Sequence, residues 1–288
     1  MKNLSKKQKI VITVLASVFL ILFSVYCVYE NNMLTVTDYE ITNEKLPGSF
    51  DGFTVAQISD FHNTRSDFLR ESVLEEVQRL NPDIILITGD FIDSRKPKTE
   101  ISLAFAKELV KIAPVYFAPG NHEARIPEIY GPFEEELRRI GVSVLRNSSK
   151  KINLGGEEIN IIGVDDATFY GTQDKFISTA EAINEISYDK YLFTIALSHR
   201  PEVFSVYTEK KLDLVFSGHH HGGQFRIPYL GGLYMPTEGF FPDYCEGVHT
   251  ENNTTMAVSR GIGNSAFPIR INNRPELIIV TLKAGIND

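Results

Sequence analysis

The sequence has few cysteines and, past its first thirty residues, few positive charges for its acidic content. It has 288 residues, and its two cysteines are Cys27 and Cys245. A disulfide framework is therefore excluded, and about 260 residues are enough for an ordinary hydrophobic core to supply stability. Residues 30–288 carry 25 basic against 37 acidic side chains, a net charge of −12. Binding of nucleic acid needs a cationic face, so this function is not expected.

The first thirty residues have the pattern of a membrane anchor. Twenty residues without charge, from Ile10 to Tyr29, span roughly 30 Å, which is enough to cross a bilayer. All four lysines of this segment precede the run, and positive charge is retained on the cytoplasmic side. We predict a cytoplasmic basic stub and transmembrane anchor in residues 1–30, with an extracytoplasmic domain in residues 31–288. The alternatives are a buried core helix and a cleaved secretory signal, although Tyr26-Cys27-Val28-Tyr29 lacks the small residues of a cleavage site.

Apolar residues past the anchor alternate between strand and helix patterns. The short apolar run in residues 83–88 is typical of a buried strand, whereas Leu69, Val73 and Val77 recur at helical spacing. The early order of strands and helices predicts a parallel sheet with helices outside it. The later, strand-rich half predicts a second, mixed sheet packed on the first. The predicted fold class is therefore α/β.

Polar side chains follow five of the predicted strands, at the point where each strand ends. The five segments are Ser59-Asp60-Phe61-His62, Gly89-Asp90, Gly120-Asn121-His122-Glu123, Ser198-His199-Arg200-Pro201 and Gly218-His219-His220-His221-Gly222-Gly223-Gln224. In α/β folds the chemistry collects at the carboxyl ends of strands. One such residue is more often a helix cap or a satisfied polar side chain. Five segments in succession, holding every histidine except His249, indicate a functional site.

The residue types and their spacing indicate two metal ions. Side chains two residues apart in an extended chain point the same way, so we expect Asp60 and His62 to bind one ion. By the same geometry His219 and His221 should face one cavity, with His220 pointing away. Carboxylate, amide and imidazole ligands without thiolate suit Mn²⁺, Fe²⁺ or Zn²⁺, whereas a structural zinc site usually uses cysteine. About six or seven ligands fit two ions, roughly 3.5 to 4 Å apart and bridged by a carboxylate.

The order of these motifs resembles that of the calcineurin-like metallophosphoesterases. The matching pattern is Asp-x-His, Gly-Asp, Gly-Asn-His-Glu, His and Gly-His-x-His, and it extends over roughly residues 50–282. Within the family the chain most resembles the membrane-anchored bacterial branch, the YkuE-like proteins, in its Gly-Gly-Gln after the histidines and in residues 258–263. The resemblance implies a four-layer αββα sandwich of two mixed β-sheets flanked by helices, after one N-terminal transmembrane helix.

The resemblance also implies a role for each polar residue. Seven side chains would hold two divalent ions: Asp60, His62 and His221 the first, Asn121, His199 and His219 the second, and Asp90 both. His122 would meet the leaving-group oxygen rather than bind metal. Position 220 is often threonine in this branch, and the extra imidazole of His220 is a candidate substrate contact.

The implied reaction is direct hydrolysis of a phosphomonoester or phosphodiester. Two divalent ions activate a water and offset the charge on the phosphoryl oxygens, so no protein nucleophile is needed. His122 would act as general acid and Asp90 as the shared ligand. Because the domain is tethered, the substrate is expected in the membrane or envelope. Arg65 and Arg260 are further candidates for phosphate contacts, with a surface or loop-bracing arginine as the alternative.

Two other functions stay open at this point. One is a lipid-linked nucleotide-sugar pyrophosphatase, which the anchored relatives suggest. The other is a non-catalytic, membrane-tethered binding module, which would have no reason to retain seven ligands and His122. In each case the expected partner besides the ligand is the membrane, reached through the N-terminal helix.

Overall fold

The computed structural model describes residues 5–171, 174–235, 238–265 and 267–285. Its helices are α1 (Lys6–Asn32), α2 (Asp67–Leu80), α3 (Thr99–Leu109), α4 (Asn121–Ala124), α5 (Pro127–Arg139), α6 (Lys175–Glu185) and α7 (Phe204–Glu209). Its strands are β1 (Thr35–Asn43), β2 (Thr54–Ile58), β3 (Ile84–Thr88), β4 (Val115–Ala118), β5 (Ser143–Val144), β6 (Ser148–Leu154), β7 (Glu157–Val164), β8 (Thr194–Ser198), β9 (Leu214–Ser217), β10 (Arg226–Ile227), β11 (Gly231–Gly232), β12 (Tyr234–Met235), β13 (Gly239–Phe240), β14 (Gly247–Glu251), β15 (Thr254–Val258) and β16 (Glu276–Ala284).

Most strands belong to two six-stranded sheets, and both sheets are mixed. The first has the order β1-β16-β2-β3-β4-β5, in which β16 runs antiparallel to β2 and the other neighbours are parallel. The second has the order β14-β15-β9-β8-β7-β6, with antiparallel pairs at its two edges and parallel strands between them. The two mixed sheets that the resemblance implied are confirmed. The order of strands and helices predicted a parallel first sheet, but this sheet is mixed because β16 inserts antiparallel to β2.

Strand β3 shows why the layers form. Ile85 and Ile87 pack outward against α2, α3 and α5, whereas Ile84 and Leu86 belong to the core between the two sheets. Both faces of this strand are buried, so an apolar residue is needed at every position. Each of these side chains stabilises the fold by about 1.5–3 kcal/mol through burial.

The second sheet is covered in the same way on its outer face. Ala182 and Ile183 on α6 and Phe204 and Tyr207 on α7 pack against its strands. The order of layers is therefore helices, first sheet, second sheet, helices. This is the four-layer αββα sandwich that the resemblance implied.

Helix α1 stands apart from these layers. It is the one helix among the described residues that is long and apolar enough to cross a membrane. Only 6% of its apolar stretch of 18 residues is buried inside the protein. The alternative of a buried core helix is therefore wrong. The helix continues to Asn32, two residues past the predicted boundary, and its last two turns contact the domain.

Candidate metal centre

Five strand ends meet at one edge of the packed sheets. The carboxyl ends of β2, β3 and β4 in the first sheet lie near those of β8 and β9 in the second, and each is followed by one of the predicted polar segments. The structure brings all seven predicted ligands into this edge as buried side chains: Asp60, His62, Asp90, Asn121, His199, His219 and His221.

One cluster in this edge consists of Asp60, His62 and His221. The Nε2 atoms of the two imidazoles lie 3.1 Å apart, and Asp60 Oδ1 lies 3.2 Å from His221 Nε2. Ser59 Oγ donates a hydrogen bond of 2.7 Å to Asp60 Oδ2. This bond orients the carboxylate so that Oδ1 faces the two imidazoles.

A second cluster consists of Asp90, His199 and His219. Asp90 Oδ2 lies 3.2 Å from His199 Nε2 and 3.7 Å from His62 Nε2 in the first cluster. The other oxygen of Asp90, Oδ1, accepts a hydrogen bond of 2.8 Å from the backbone N–H of His122. One oxygen is thus fixed by the backbone, and the other lies between the two clusters.

Asn121 borders the second cluster through its amide. One end of this amide lies 2.8 Å from His219 Nδ1, and the other end lies against the guanidinium of Arg125. If the amide oxygen lies at the His219 end, this oxygen and the His219 imidazole could both bind the same cation.

The two ligand pairs predicted from strand spacing, Asp60 with His62 and His219 with His221, have a left-handed backbone rather than an extended one. The φ angles are 50° at Asp60, 46° at His62, 67° at His219 and 47° at His221. Strands β2 and β9 end before these residues, so the predicted extended geometry is wrong although the side chains do meet. His219 and His221 fall in different clusters of the same cavity. Such a conformation costs about 1–2 kcal/mol per residue, and it persists where surrounding contacts hold it.

The donor atoms of the centre fit a cation. His199 Nδ1 lies 2.8 Å from the carbonyl oxygen of Thr88 and donates to it, so Nε2 of the neutral ring presents a lone pair toward Asp90. Burial lowers the pKa of His199, but the Asp90 carboxylate overrides this effect and raises it to about 10. Without a metal, Nε2 would therefore carry a proton at pH 7, and a divalent ion bound at Nε2 would supply the same positive charge in place of that proton.

Glu123 joins the two loops that carry Asp90 and Asn121. Its carboxylate accepts hydrogen bonds from the backbone N–H groups of Asp90 (2.9 Å), Gly120 (2.8 Å) and Ile92 (2.9 Å). Burial, reinforced by the nearby Asp90 charge, raises the pKa of Glu123 to about 7. Glu123 therefore positions the centre through the backbone.

His122 lies beside the clusters with a defined tautomer. The backbone N–H of Ser94 donates to His122 Nδ1 at 2.9 Å, so the proton of the neutral ring sits on Nε2. Nε2 lies 3.9 Å from Asp90 Oδ2. Burial lowers the pKa of His122, and the Asp90 and Asp93 carboxylates offset this effect only in part. His122 thus presents an N–H donor at the centre.

A cleft of about 190 Å³ opens on the two clusters. Its polar wall is formed by Asp90, Arg95, Asn121, His122, Arg125, His219, His220, His221, Gln224 and Ser265. Its apolar wall is formed by Tyr234, Met235 and Phe267. The cleft thus offers cationic and apolar surfaces next to the buried Asp90 carboxylate.

The three predicted substrate contacts lie in different places. His220 belongs to the cleft wall but is fully buried, with Nε2 3.3 Å from a Glu202 oxygen. Arg65 is exposed, and Arg260 forms an ion pair of 3.0 Å with Glu276. Neither arginine is among the cleft-lining residues.

Two arginines that were not predicted from the sequence line the cleft. Arg95 follows β3 and forms an ion pair of 2.9 Å with Asp93, and Arg125 lies directly after α4. Both come within five residues of a predicted ligand, Asp90 or Asn121. Proximity to a strand end, rather than to a glycine-rich segment, was the signal that could have identified them.

Comparisons with known proteins agree with this geometry. The family model described as calcineurin-like phosphoesterase matches residues 53–223. The metallophosphoesterase YkuE of Bacillus subtilis (strain 168) is 30% identical over 266 residues, which is 88% of this chain and 87% of that protein. A transmembrane protein with metallophosphoesterase domain from Danio rerio is also 30% identical, over 94% of this chain and 62% of that protein. Together with α1, this relative indicates a membrane protein.

A solved structure shows the same fold. The crystal structure of TT1561 of Thermus thermophilus has a TM-score of 0.50 and 13% identity, over 73% of this chain and 89% of that one. The matched residues 53–223 include both clusters, and the family depends on paired metal ions. The chain therefore belongs to the calcineurin-like phosphoesterase family and is a metal-dependent phosphoester hydrolase.

Proposed function

We propose that the protein hydrolyses a phosphoester of a membrane or envelope component with two divalent ions that share the Asp90 carboxylate. The position of Asp90 Oδ2, 3.2 Å from His199 and 3.7 Å from His62, carries this proposal because a bridging ligand must reach both ions. The proposed ligands are Asp60, His62 and His221 for one ion, Asn121, His199 and His219 for the other, and Asp90 for both.

The chain's own residues bind and orient the reactants. When bound, the two ions would supply an activated water and the positive charge that offsets charge on the phosphoryl oxygens. Asp90 keeps one fixed position because the His122 backbone N–H holds its Oδ1. The mixture of carboxylate, amide and imidazole suits Mn²⁺, Fe²⁺ or Zn²⁺.

His122 is the proposed donor to the leaving group. Its Nε2–H faces the cleft because Ser94 occupies Nδ1, so this N–H is placed for the predicted role of general acid toward the departing oxygen. Arg95 and Arg125 are the proposed contacts of the non-transferring phosphoryl oxygens, since both line the cleft and a guanidinium binds phosphate through two N–H groups.

A substrate panel on the full chain tests this proposal. With Mn²⁺ added, we expect hydrolysis of p-nitrophenyl phosphate, its bis ester, or both. A chelator should lower the rate of hydrolysis by about a thousandfold, because it removes the positive charge that stabilises the transition state. A relative from Escherichia coli (strain K12), 27% identical over 80% of this chain, is named a phosphodiesterase, which favours the bis ester. No hydrolysis with Mn²⁺, Fe²⁺ or Zn²⁺ would favour the non-catalytic binding module.

A lipid-linked nucleotide-sugar pyrophosphatase is the second candidate. The apolar wall of Tyr234, Met235 and Phe267 lies next to the metal-binding clusters, and a lipid-linked substrate would contact such a wall. A nucleoside diphosphate ester in the same panel separates the two activities, because cleavage of its pyrophosphate bond releases a nucleoside monophosphate.

We further propose that residues 1–30 are a cytoplasmic stub and uncleaved anchor and that residues 31–288 are an extracytoplasmic catalytic domain. In intact cells, a membrane-impermeant maleimide should label a Tyr191→Cys variant but not a Ser5→Cys variant, because the lysines before the helix hold the N-terminus inside. After permeabilisation Ser5→Cys should be labelled on the full-length chain. Loss of residue 5 from the mature protein would support a cleaved signal. Labelling of Ser5→Cys in intact cells would show that the N-terminus lies outside, which is the opposite of the proposed topology.

A further inference from the structure

Exposed apolar side chains are concentrated on loops around the cleft. Tyr229 is fully exposed, and Leu230 is 66% and Phe240 71% exposed. We define the apolar rim as the following six residues: Tyr229, Leu230, Phe240, Phe241, Phe267 and Ile269. Exposed apolar surface gathered in this way usually marks an interaction site.

The apolar rim is continuous with the apolar wall of the cleft. The rings of Tyr234 and Phe240 are 5.2 Å apart, and Tyr234 and Phe267 both line the cleft. Backbone hydrogen bonds from Leu233 to Phe225 (2.7 Å) and from Phe241 to Leu233 (3.0 Å) join the strands that carry these residues. An apolar path therefore leads from the metal-binding clusters to the outside.

The anchor helix contacts the same loops. Tyr26 Oη donates to Asn272 Oδ1 at 2.8 Å and accepts from the Asn272 backbone N–H at 3.0 Å. Asn272 Nδ2 in turn donates to the carbonyl oxygen of Arg226 at 3.2 Å. Arg226 begins the β10–β11 hairpin, whose tip carries Tyr229 and Leu230.

These contacts set the depth of the domain relative to the membrane. Tyr26 lies inside the uncharged run that ends at Tyr29, so Asn272 is at the level where the hydrocarbon region ends. One turn later, Glu30 accepts from the backbone N–H of Asn273 at 3.1 Å and pairs with Arg274 at 3.0 Å. The domain thus begins at the bilayer surface, without a linker.

We propose that the apolar rim rests in the interface of the membrane that α1 crosses, so that the cleft opens toward lipid headgroups. The substrate would then be an amphiphile of that membrane whose phosphoester reaches the two clusters while part of its apolar chain contacts the apolar wall. The membrane is the occupant that the structure favours, because the rim is continuous with the contacts of the anchor. The substrate assignment rests on the proposed hydrolase function, whereas the position of the rim rests only on the proposed anchor.

Fluorescence measures the position of the rim independently of activity. The chain has no tryptophan, so a Leu230→Trp variant carries a single probe. The matched control is Tyr191→Trp, because Tyr191 is 92% exposed and precedes β8, at the strand end opposite the cleft. In phosphatidylcholine vesicles, brominated acyl chains should quench the emission of the Leu230→Trp variant by about twofold, as expected for a side chain in the interface, and leave that of the Tyr191→Trp variant unchanged. Equal responses of the two probes would overturn the proposal.

Two diesters with the same leaving group test the substrate class. Hexadecyl p-nitrophenyl phosphate enters the bilayer, whereas ethyl p-nitrophenyl phosphate stays in solution. Replacing Tyr229 and Leu230 by serine should lower hydrolysis of the hexadecyl ester by about tenfold and leave the ethyl ester unchanged, because these residues lie outside the cleft wall. Unchanged or equally lowered hydrolysis of both esters would contradict the rim's role. For a chain that hydrolyses monoesters alone, hexadecyl phosphate and ethyl phosphate replace the two diesters. If the parent chain hydrolysed neither the diesters nor any of these monoesters, the proposed function would fail instead, while the fluorescence result would stand.

Discussion

Replacing Asp90 by alanine is expected to release both metal ions and to lower turnover by about a thousandfold or more. Asp90 Oδ2 is the atom between the two clusters, 3.2 Å from His199 and 3.7 Å from His62. Without it each ion loses a negatively charged ligand, and the imidazoles of the two sites are no longer separated by a carboxylate. Hydrolysis of a soluble aryl phosphoester by the full chain in detergent measures the effect.

Asp83→Ala is the matched control for this substitution. Asp83 directly precedes β3 and Asp90 follows it, so the two carboxylates lie at opposite ends of one strand. Asp83 is exposed and hydrogen-bonds to Thr54, so its loss should leave activity nearly unchanged. If the Asp90→Ala variant hydrolysed the ester at a rate within about tenfold of the parent, a group other than Asp90 would provide the electrostatic stabilisation.

Replacing His122 by alanine should leave the metal content intact and lower turnover by roughly 10²- to 10⁴-fold for esters with alkyl leaving groups. The loss should be smaller for p-nitrophenyl esters, because nitrophenolate departs without help from a donor. The reason is the orientation of the ring, whose Nε2–H faces the cleft while Ser94 occupies Nδ1. Rates for a series of leaving groups, measured with the metal content of each sample, check the prediction.

His249→Ala serves as the control for His122. His249 lies outside the five strand ends, and its Nε2 is 2.9 Å from the Glu246 carbonyl oxygen. We expect its replacement to change neither rate nor metal content. If His122→Ala lost metal, or if its rate fell equally for all leaving groups, the ring would be a ligand or a structural residue rather than a donor to the leaving group.

The features of the fold that the sequence predicted are those encoded locally. The apolar run in residues 83–88 predicted β3 because burial on both faces leaves a pattern within one segment, and this strand placed Asp90 at its carboxyl end. The same logic at four other strands brought the remaining ligands together. The helical spacing of Leu69, Val73 and Val77 likewise predicted α2, because its buried face repeats every turn.

The features that the sequence did not predict depend on distant contacts. The backbone N–H of His219 donates to Asp60 across 159 positions, and such contacts hold the left-handed conformations that replaced the expected extended geometry. The partner of Arg260 is Glu276 on β16, which no local pattern links to it. The contact of Tyr26 with Asn272 spans 246 positions, so the depth of the domain at the membrane emerges only from the folded chain.

Counting metal ions in the full chain while following its activity tests the central claim most directly. Metal-free protein should gain phosphoesterase activity as Mn²⁺ is added, and elemental analysis of the fully active protein should find two ions per chain, with almost none in Asp90→Ala. Full activity in a chain that holds one ion or none would contradict a centre in which Asp90 bridges two metals.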